Sequence, residues 1–264
     1  MATAVGGHYH RYTKGFPNHI IHSFSLGDMQ LDYSLTMQTV AVLVPTLFRR
    51  EQYLRQCLES LRKSRNVMIC LMGPSALEQS TNYDGLFDLL VEEPELEGLP
   101  AKIDYGIREI SENVKYVTWI GDDDFVEEAA YEDTAKLLES NPDASGVFGG
   151  CTYVDGDSKS LGINRSFSSA VKMSRFGPFL APQPGSLYRR AAYFACGGLD
   201  TGFQFAFDYD LFLRLDREGS MLFVAGPIAS FRWHSGSLTV AQRWNSSVEA
   251  ALVRLKNARG FHRF

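Results

Sequence analysis

Basic charge is in short supply in this chain: 26 Lys and Arg stand against 31 Asp and Glu, a net charge of −5 over 264 residues. A protein that grips a nucleic-acid backbone needs a cationic face, so this balance argues against nucleic acid as a partner. Cysteine is sparse too. Cys57, Cys70, Cys151 and Cys196 form no CxxC pair and have no histidine close by, which excludes a Cys/His zinc module. Three of the four sit in apolar runs, the pattern of buried free thiols in a reducing compartment, so a cytoplasmic location is expected. No run approaches the roughly 18 apolar residues of a spanning helix, and the N-terminus lacks an apolar signal core. Neither a GxGxxG fingerprint nor a GxxxxGK[ST] loop occurs.

What is present is a soluble-protein composition, 45% hydrophobic and 22% charged, long enough for one large domain or two small ones. Residues 1–38 form an N-terminal extension. It holds His8, His10, His19 and His22 among Gly, Tyr and Asn, and so polar a segment buries little. From Thr39 the chain alternates. Val40–Val44 is a continuous apolar strand closed by Pro45, and the next segment puts Tyr53, Leu54, Cys57, Leu58 and Leu61 on one helical face. Strands are expected at Val67–Met72 and Leu86–Val91, then a helix over about Lys102–Glu112. A strand at Val114–Ile120 and a helix over about Glu127–Ser140 follow. Such alternation predicts an α/β fold with a mostly parallel sheet, whose ligands bind beyond the carboxyl ends of the strands.

The second half changes character. Gly146–Val154 reads as a strand, and Asp155–Pro184 as a long Ser/Gly/Pro-rich connection of the kind that serves as a functional loop. Leu187–Cys196 reads as a helix ended by Gly197-Gly198, Phe207–Glu218 as another, Met221–Ala225 as a last strand and Asn245–Arg259 as a final helix. No internal repeat and no convincing boundary divides residues 39–264.

The chemistry concentrates in VKYVTWIGDDDFVE, residues 114–127. Asp122, Asp123 and Asp124 together at a strand tip repel one another and lose hydration, so they need a compensating positive charge. Oxygen ligands of this kind suit Mg²⁺ or Mn²⁺, with substrate phosphates completing the shell. A solvated acidic cap on the following helix is the competing use. Asp208 and Asp210 fall in the first turn of the Phe207–Glu218 helix, where capping likewise competes with chemistry.

Four stretches, in this order, resemble the inverting family-2 glycosyltransferases of the GT-A fold over about residues 39–240. They are VAVLVPTLFRREQYLRQCLESL, IDYGIREI with YVTWIGDDDF, APQPGSLYRRAAYFACGGLDTGFQFAFDYDLFLRL, and FRWHSGSLT. That resemblance implies a Rossmann-like sheet with flanking helices, residues 39–150 binding the nucleotide-sugar and 151–264 forming the acceptor side. It implies that Pro45, Thr46, Phe48, Arg49, Asp104, Arg108 and Asp122 meet the nucleotide donor. Asp123, Asp124 and His234 would hold Mn²⁺ or Mg²⁺. Asp208 would be the general base, and Gln183, Gly185, Asp210 and Trp233 would line the acceptor side. UDP- or dTDP-sugars are the favoured donors, and a glycan or lipid-linked molecule the acceptor.

Two departures stand out. LMGPS (Leu71–Ser75) replaces the family's acidic turn after the second strand, and Phe207-Asp208 replaces its acidic pair before the base. A catalytically silent nucleotide-sugar or glycan-binding protein of the same fold is the alternative from another class. A sugar-1-phosphate nucleotidyltransferase is a third, but it needs a glycine-rich phosphate loop that VPTLFRRE lacks. Arg254, Lys256, Arg259 and Arg263 near the C-terminus read as a solvated basic face or, at most, a peripheral contact with an anionic membrane.

Overall fold

The computed structural model describes residues 39–110, 114–234 and 242–259. The N-terminal extension with its four histidines, and the part of FRWHSGSLT after His234, lie outside them. Strand β1 (Val40–Pro45) sits near the middle of the sheet. Val40, Val42 and Val44 pack on one side, and Ala41 and Leu43 on the other. Burial on both faces is why this run is apolar without alternation. Helix α1 (Glu51–Arg62) covers the first face with Leu54, Cys57, Leu58 and Leu61. Strand β2 (Val67–Gly73) leads through a short α2 (Ala76–Gln79) to β3 (Leu89–Glu92), and α3 (Leu99–Glu109) covers the second face with Ile103 and Ile107. Gly106 lets α3 lie close, since a Cβ there would stand 2.7 Å from Leu43 Cδ2. Strand β4 (Tyr116–Trp119) pairs parallel to β1 on the side away from β2.

The rest of the chain extends the same sheet. It continues through β5 (Phe125–Val126), α4 (Ala130–Glu139), β6 (Ala144–Val154), β7 (Ser160–Asn164) and α5 (Ala170–Ser174). Then come β8 (Leu187–Arg189), α6 (Arg190–Ala195), α7 (Phe207–Glu218), β9 (Ser220–Arg232) and α8 (Arg243–Arg259). The strand order is β3-β2-β1-β4-β8-β6-β9-β5, with β7 beside β6. The β3-β2-β1-β4 part is parallel, β8 is antiparallel to both neighbours, and β6 runs parallel to β9. The α/β fold with flanking helices is therefore as the alternation implied.

Several boundaries differ from the sequence reading. The Leu187–Cys196 helix begins only at Arg190, because Leu187 and Tyr188 are claimed by pairing to β6 and β4. The last strand does not stop at Ala225. It runs on to Arg232 across Gly226-Pro227, where Gly226 takes φ +95° and the register shifts. A register shift is where a strand tolerates a proline, which cannot donate to the ladder. The Asp155–Pro184 connection contains β7 and α5. Helix α4 starts at Ala130 rather than Glu127, since Phe125 and Val126 pair with β9 and the Glu127 N–H bonds Ile228 O at 3.1 Å. Helix α3 starts earlier than expected, with Pro100 in its first turn, and ends at Glu109; Glu112 lies outside the described residues.

Gly150, at the middle of β6, marks where the strands crowd: a Cβ there would stand 2.8 Å from Asn164 O and 2.9 Å from Gly226 O. Both obstacles are backbone. Gly150→Ala should cost about 1–3 kcal/mol by overpacking, whereas Gly177→Ala, whose nearest neighbour is Met173 O at 3.8 Å, should stay within about 0.5 kcal/mol. Denaturant unfolding of the two variants side by side checks the contrast.

Candidate active site

The pairing of β1 with β4 (Leu43 opposite Trp119) brings two strand ends together, and the Ile120 N–H closes onto Leu43 O at 3.0 Å. Beyond those ends lie Pro45-Thr46 and Gly121–Asp124. Thr46 donates its hydroxyl to Asp122 Oδ2 at 2.6 Å while its Oγ1 accepts the Phe48 N–H at 2.9 Å. The β5–β9 pairing sets Phe125 opposite Ser230 and so carries the end of β9 to the acidic tip. There the Arg232 N–H bonds Asp124 Oδ1 at 2.9 Å, and His234 Nε2 lies 2.7 Å from Asp123 Oδ2. Arg50 Nη1 reaches the same Asp123 oxygen at 3.2 Å.

Burial of these carboxylates has a cost. Asp122 is held above the usual carboxylate range by desolvation, against the pull of the Thr46 hydrogen bond. Asp124 is pushed well up by burial and then by the charge of Asp123. Charge compensation is thus built around the trio, and Arg232 supplies the part that reaches Asp124. Its side chain is 1% exposed. The guanidinium donates to Asp123 O at 2.9 Å, Asp155 O at 2.9 Å, Gly156 O at 3.1 Å, Ser158 Oγ at 3.1 Å and Gln56 Oε1 at 2.6 Å. It also lies 4.1 Å over the Tyr53 ring. One residue therefore ties α1, the acidic turn and the 155–158 turn together.

The second carboxylate comes from α7. Phe207 packs its ring 6.0 Å from Trp119, and Gln183 Nε2 donates to Trp119 O at 2.9 Å, so the start of α7 and the 182–184 segment are anchored to the tip of β4. This brings Asp208, half-buried, into the lining of the cleft that the trio also lines. Its carboxylate accepts the Tyr209 N–H at 2.7 Å, yet burial still raises its pKa to about 6. Asp208 is not the helix N-cap, a place taken by Ala206. Asp122, Asp123, Asp124 and Asp208 line one cleft of about 830 Å³, together with Pro45, Thr46, Arg49, Arg50, Gln183 and Trp233.

Other expected site residues are elsewhere. Asp104 accepts the Tyr193 hydroxyl at 2.8 Å and the Leu199 N–H at 3.1 Å, and Arg108 Nε bonds it at 2.7 Å. These two clamp the turn after α6 and do not line the cleft, because the α3 face that carries them points to α6. Asp210 is fully buried among Arg214, Lys256 and Asn257, on the side of α7 that packs against α8. It holds α7 to α8 and is not among the residues that line the cleft. Phe48 turns toward Tyr83 and Gly73, and Gly185 (φ +80°) lies against Ile228, both outside the cleft lining. Asp124 faces the cleft but is 5% exposed and spends Oδ1 on β9. Trp244 is on the outer side of α8, not in the cleft.

The sequence reading missed Arg50 and Arg232. Arg232 carried a signal: an arginine inside the apolar IASFRW run cannot be buried without a full set of acceptors. Among the described residues no three His, Cys, Asp or Glu side chains form a ready metal cage. Asp123 lines the cleft, and His234, itself outside the lining, sets its Nε2 2.7 Å from Asp123 Oδ2, so an oxygen and a nitrogen ligand atom lie together at the cleft edge. A Mn²⁺ or Mg²⁺ ion that takes most of its ligands from substrate phosphate and water needs no more than such a pair. The residues fit the ion.

No family model and no curated protein sequence matches the chain. Solved structures do. S. aureus TarS 1-349 in complex with UDP-GlcNAc superposes with a TM-score of 0.56 at 14% identity, over 75% of this chain and 60% of that one. The same protein in complex with UDP gives 0.59 at 13% identity, over 83% and 65%. The mannosyltransferase PcManGT from Pyrobaculum calidifontis, in complex with GDP-Man and Mn²⁺, gives 0.58 at 15% identity, over 83% and 64%. The fold is of the GT-A type. This chain spans less than two thirds of the length of each of these neighbours.

Replacing Arg232 by Met should destabilise the protein by about 3 kcal/mol or more, since several buried acceptors lose a charged donor at once. Arg232→Lys should recover little of it, because one ammonium cannot reach acceptors arranged around a planar fork. Thermal unfolding of both variants decides this. A lysine variant as stable as the parent would show that the guanidinium geometry is not what holds the acidic turn.

Proposed function

We propose that this protein is an inverting glycosyltransferase. It would move a sugar from a nucleoside-diphosphate donor to an acceptor hydroxyl with the help of Mn²⁺ or Mg²⁺, in glycan or polysaccharide synthesis. The observation that carries this reading is the sharing of one cleft by the acidic trio and Asp208, whose pKa of about 6 suits a general base near neutral pH. In this reading Asp123 and His234 hold the ion, with Asp124 behind them. Bound there, the cation would neutralise the charge that grows on the departing diphosphate. Asp122, oriented by Thr46, faces the ribose, while Arg49 and Arg50 add positive charge along the phosphates. Asp208 accepts the acceptor's proton as its oxygen attacks the anomeric carbon from the face opposite the leaving group. Gln183 and Trp233 frame the acceptor, a glycan or a lipid-linked sugar.

The neighbours bound to UDP-GlcNAc, UDP and GDP-Man put UDP- and GDP-sugars first among the donors to try, with dTDP-sugars beside them. Residues 39–264 would act as one domain, which the single sheet running through both halves supports. Four free thiols, three of them buried, support a cytoplasmic setting.

The test is nucleotide release from UDP-, dTDP- and GDP-sugars with Mn²⁺, Mg²⁺ or chelator. At least one donor should turn over slowly into water only when metal is present. Binding of a donor with no turnover under any condition would favour a catalytically silent nucleotide-sugar protein. Equal release in chelator would remove the metal role.

With a donor in hand, Asp208→Asn should lower kcat by about 10²–10⁴ while leaving donor affinity nearly unchanged. The pH profile gives a second check. A base with a pKa raised to about 6 is protonated and idle below that value. kcat/KM should therefore climb about tenfold per pH unit up to about pH 6 and level off above it. A profile flat from about pH 5 to 8 would rule Asp208 out as the base.

A further inference from the structure

Helix α8 has two very different sides. Val253 and Asn257 are buried against α7, Arg254 reaches Gly177 O at 3.3 Å, and Ser246 and Ala250 line the cleft. On the opposite side, Trp244 (79% exposed), Val248 (44%), Leu252 (49%) and Leu255 (57%) stand in the open. At 100° per residue these four fall within about 80° of one another on the helix surface. Single exposed apolar residues are ordinary, but a stripe of four on one helix face marks an interaction surface. Phe176 (87%) and Met173 (53%), on and just after α5, are exposed beside the Arg254 contact at Gly177.

Charge says what such a stripe is suited to meet. By sequence, residues 243–264 carry Arg243, Arg254, Lys256, Arg259 and Arg263 against the lone carboxylate of Glu249, a net +4. The whole chain is −5, so the remainder is −9 and positive charge is concentrated in this segment. Lys256 is paired with Asp200 at 2.5 Å and Asp210 at 3.0 Å, but Glu249 does not offset the arginines at the surface. Its oxygens turn inward to the N–H groups of Gln204, Phe205 and Ala206 at 2.7–3.0 Å. Lys172, on α5, is exposed as well.

We propose that α8 and the 173–176 turn form a docking surface for an anionic lipid bilayer. The helix would lie in the headgroup plane with Trp244, Val248, Leu252 and Leu255 inserted. A tryptophan belongs at that depth, and basic residues near the surface are drawn to acidic headgroups. A second protein copy would meet the same stripe with like charge. Among the described residues no helix is long and apolar enough to cross a membrane, so the contact is peripheral. Because α8 also contributes to the cleft wall, the bilayer would sit beside the cleft mouth. The surface stands whether or not the cleft transfers sugar.

The test uses the full chain with vesicles of phosphatidylcholine alone, or with about one third phosphatidylglycerol. Co-sedimentation should occur with the anionic vesicles only and weaken as salt rises from about 0.1 to 0.5 M. Trp244 fluorescence should shift to the blue on binding, a shift absent from Trp244→Phe. Leu252→Glu with Leu255→Glu should weaken partitioning about tenfold or more while the melting temperature holds, since both side chains are exposed. Absence of anionic-vesicle binding in the parent would overturn the proposal, as would parent-like binding by the double variant. A parent that is dimeric, shows no vesicle binding and becomes monomeric in the double variant would assign the stripe to a second copy instead.

Discussion

Three carboxylates crowd the tip of β4, and most of the site's architecture answers that crowding. Left alone in a half-buried turn, Asp122, Asp123 and Asp124 would hold each other protonated or force the turn open. The fold meets each one separately: Thr46 from the end of β1, Arg50 and His234 at Asp123, and the Arg232 backbone at Asp124. These partners come from two stretches far apart in sequence, residues 46–50 and 232–234. The sheet order brings them together, and Arg232 locks them by spanning α1, the acidic turn and the loop after β6. Compensation by fixed groups is incomplete, since Asp122 and Asp124 stay raised. A cation bound between Asp123 and His234 would complete it.

Asp208, in the same cleft lining, obeys a different constraint. Among the described residues Asp208 has no cationic partner drawing its pKa down; burial raises it, and only the backbone N–H groups of Tyr209 and of Asp208 itself oppose. Two acidic groups in one cleft thus have different surroundings. One set is met by a hydroxyl, a guanidinium, an imidazole and a backbone N–H from other elements, the other by backbone N–H groups alone. Trp119 links them, carrying the acidic turn on its strand while Phe207 and Gln183 pack and bond against it.

Much of this was legible in the sequence because the central strands are buried on both faces. Val40–Val44 and Val67–Met72 are apolar without interruption, and turns follow where the chain must leave the sheet. The acidic trio was legible because its clustering is costly. What was not legible was long-range pairing. Nothing local in Leu187–Arg189 distinguishes a three-residue strand from the first turn of a helix; only its neighbours β4 and β6 decide. Gly226-Pro227 hid the second half of β9, and with it Arg232. Asp104, Arg108 and Asp210 matched the family's order in sequence, yet they face α6 and α8, where they bond buried partners. Matching order does not fix the direction in which a helix points its side chains.

In the proposed reaction a diphosphate gripped at the acidic tip would leave its sugar facing Asp208. That arrangement is tested most directly by a crystal structure with a nucleotide-sugar and Mn²⁺, the metal located by its anomalous scattering. The expected result is an anomalous peak beside Asp123 and His234, with the anomeric carbon lying between that peak and the Asp208 carboxylate. A sugar directed away from Asp208, or a metal bound without Asp123, would contradict it.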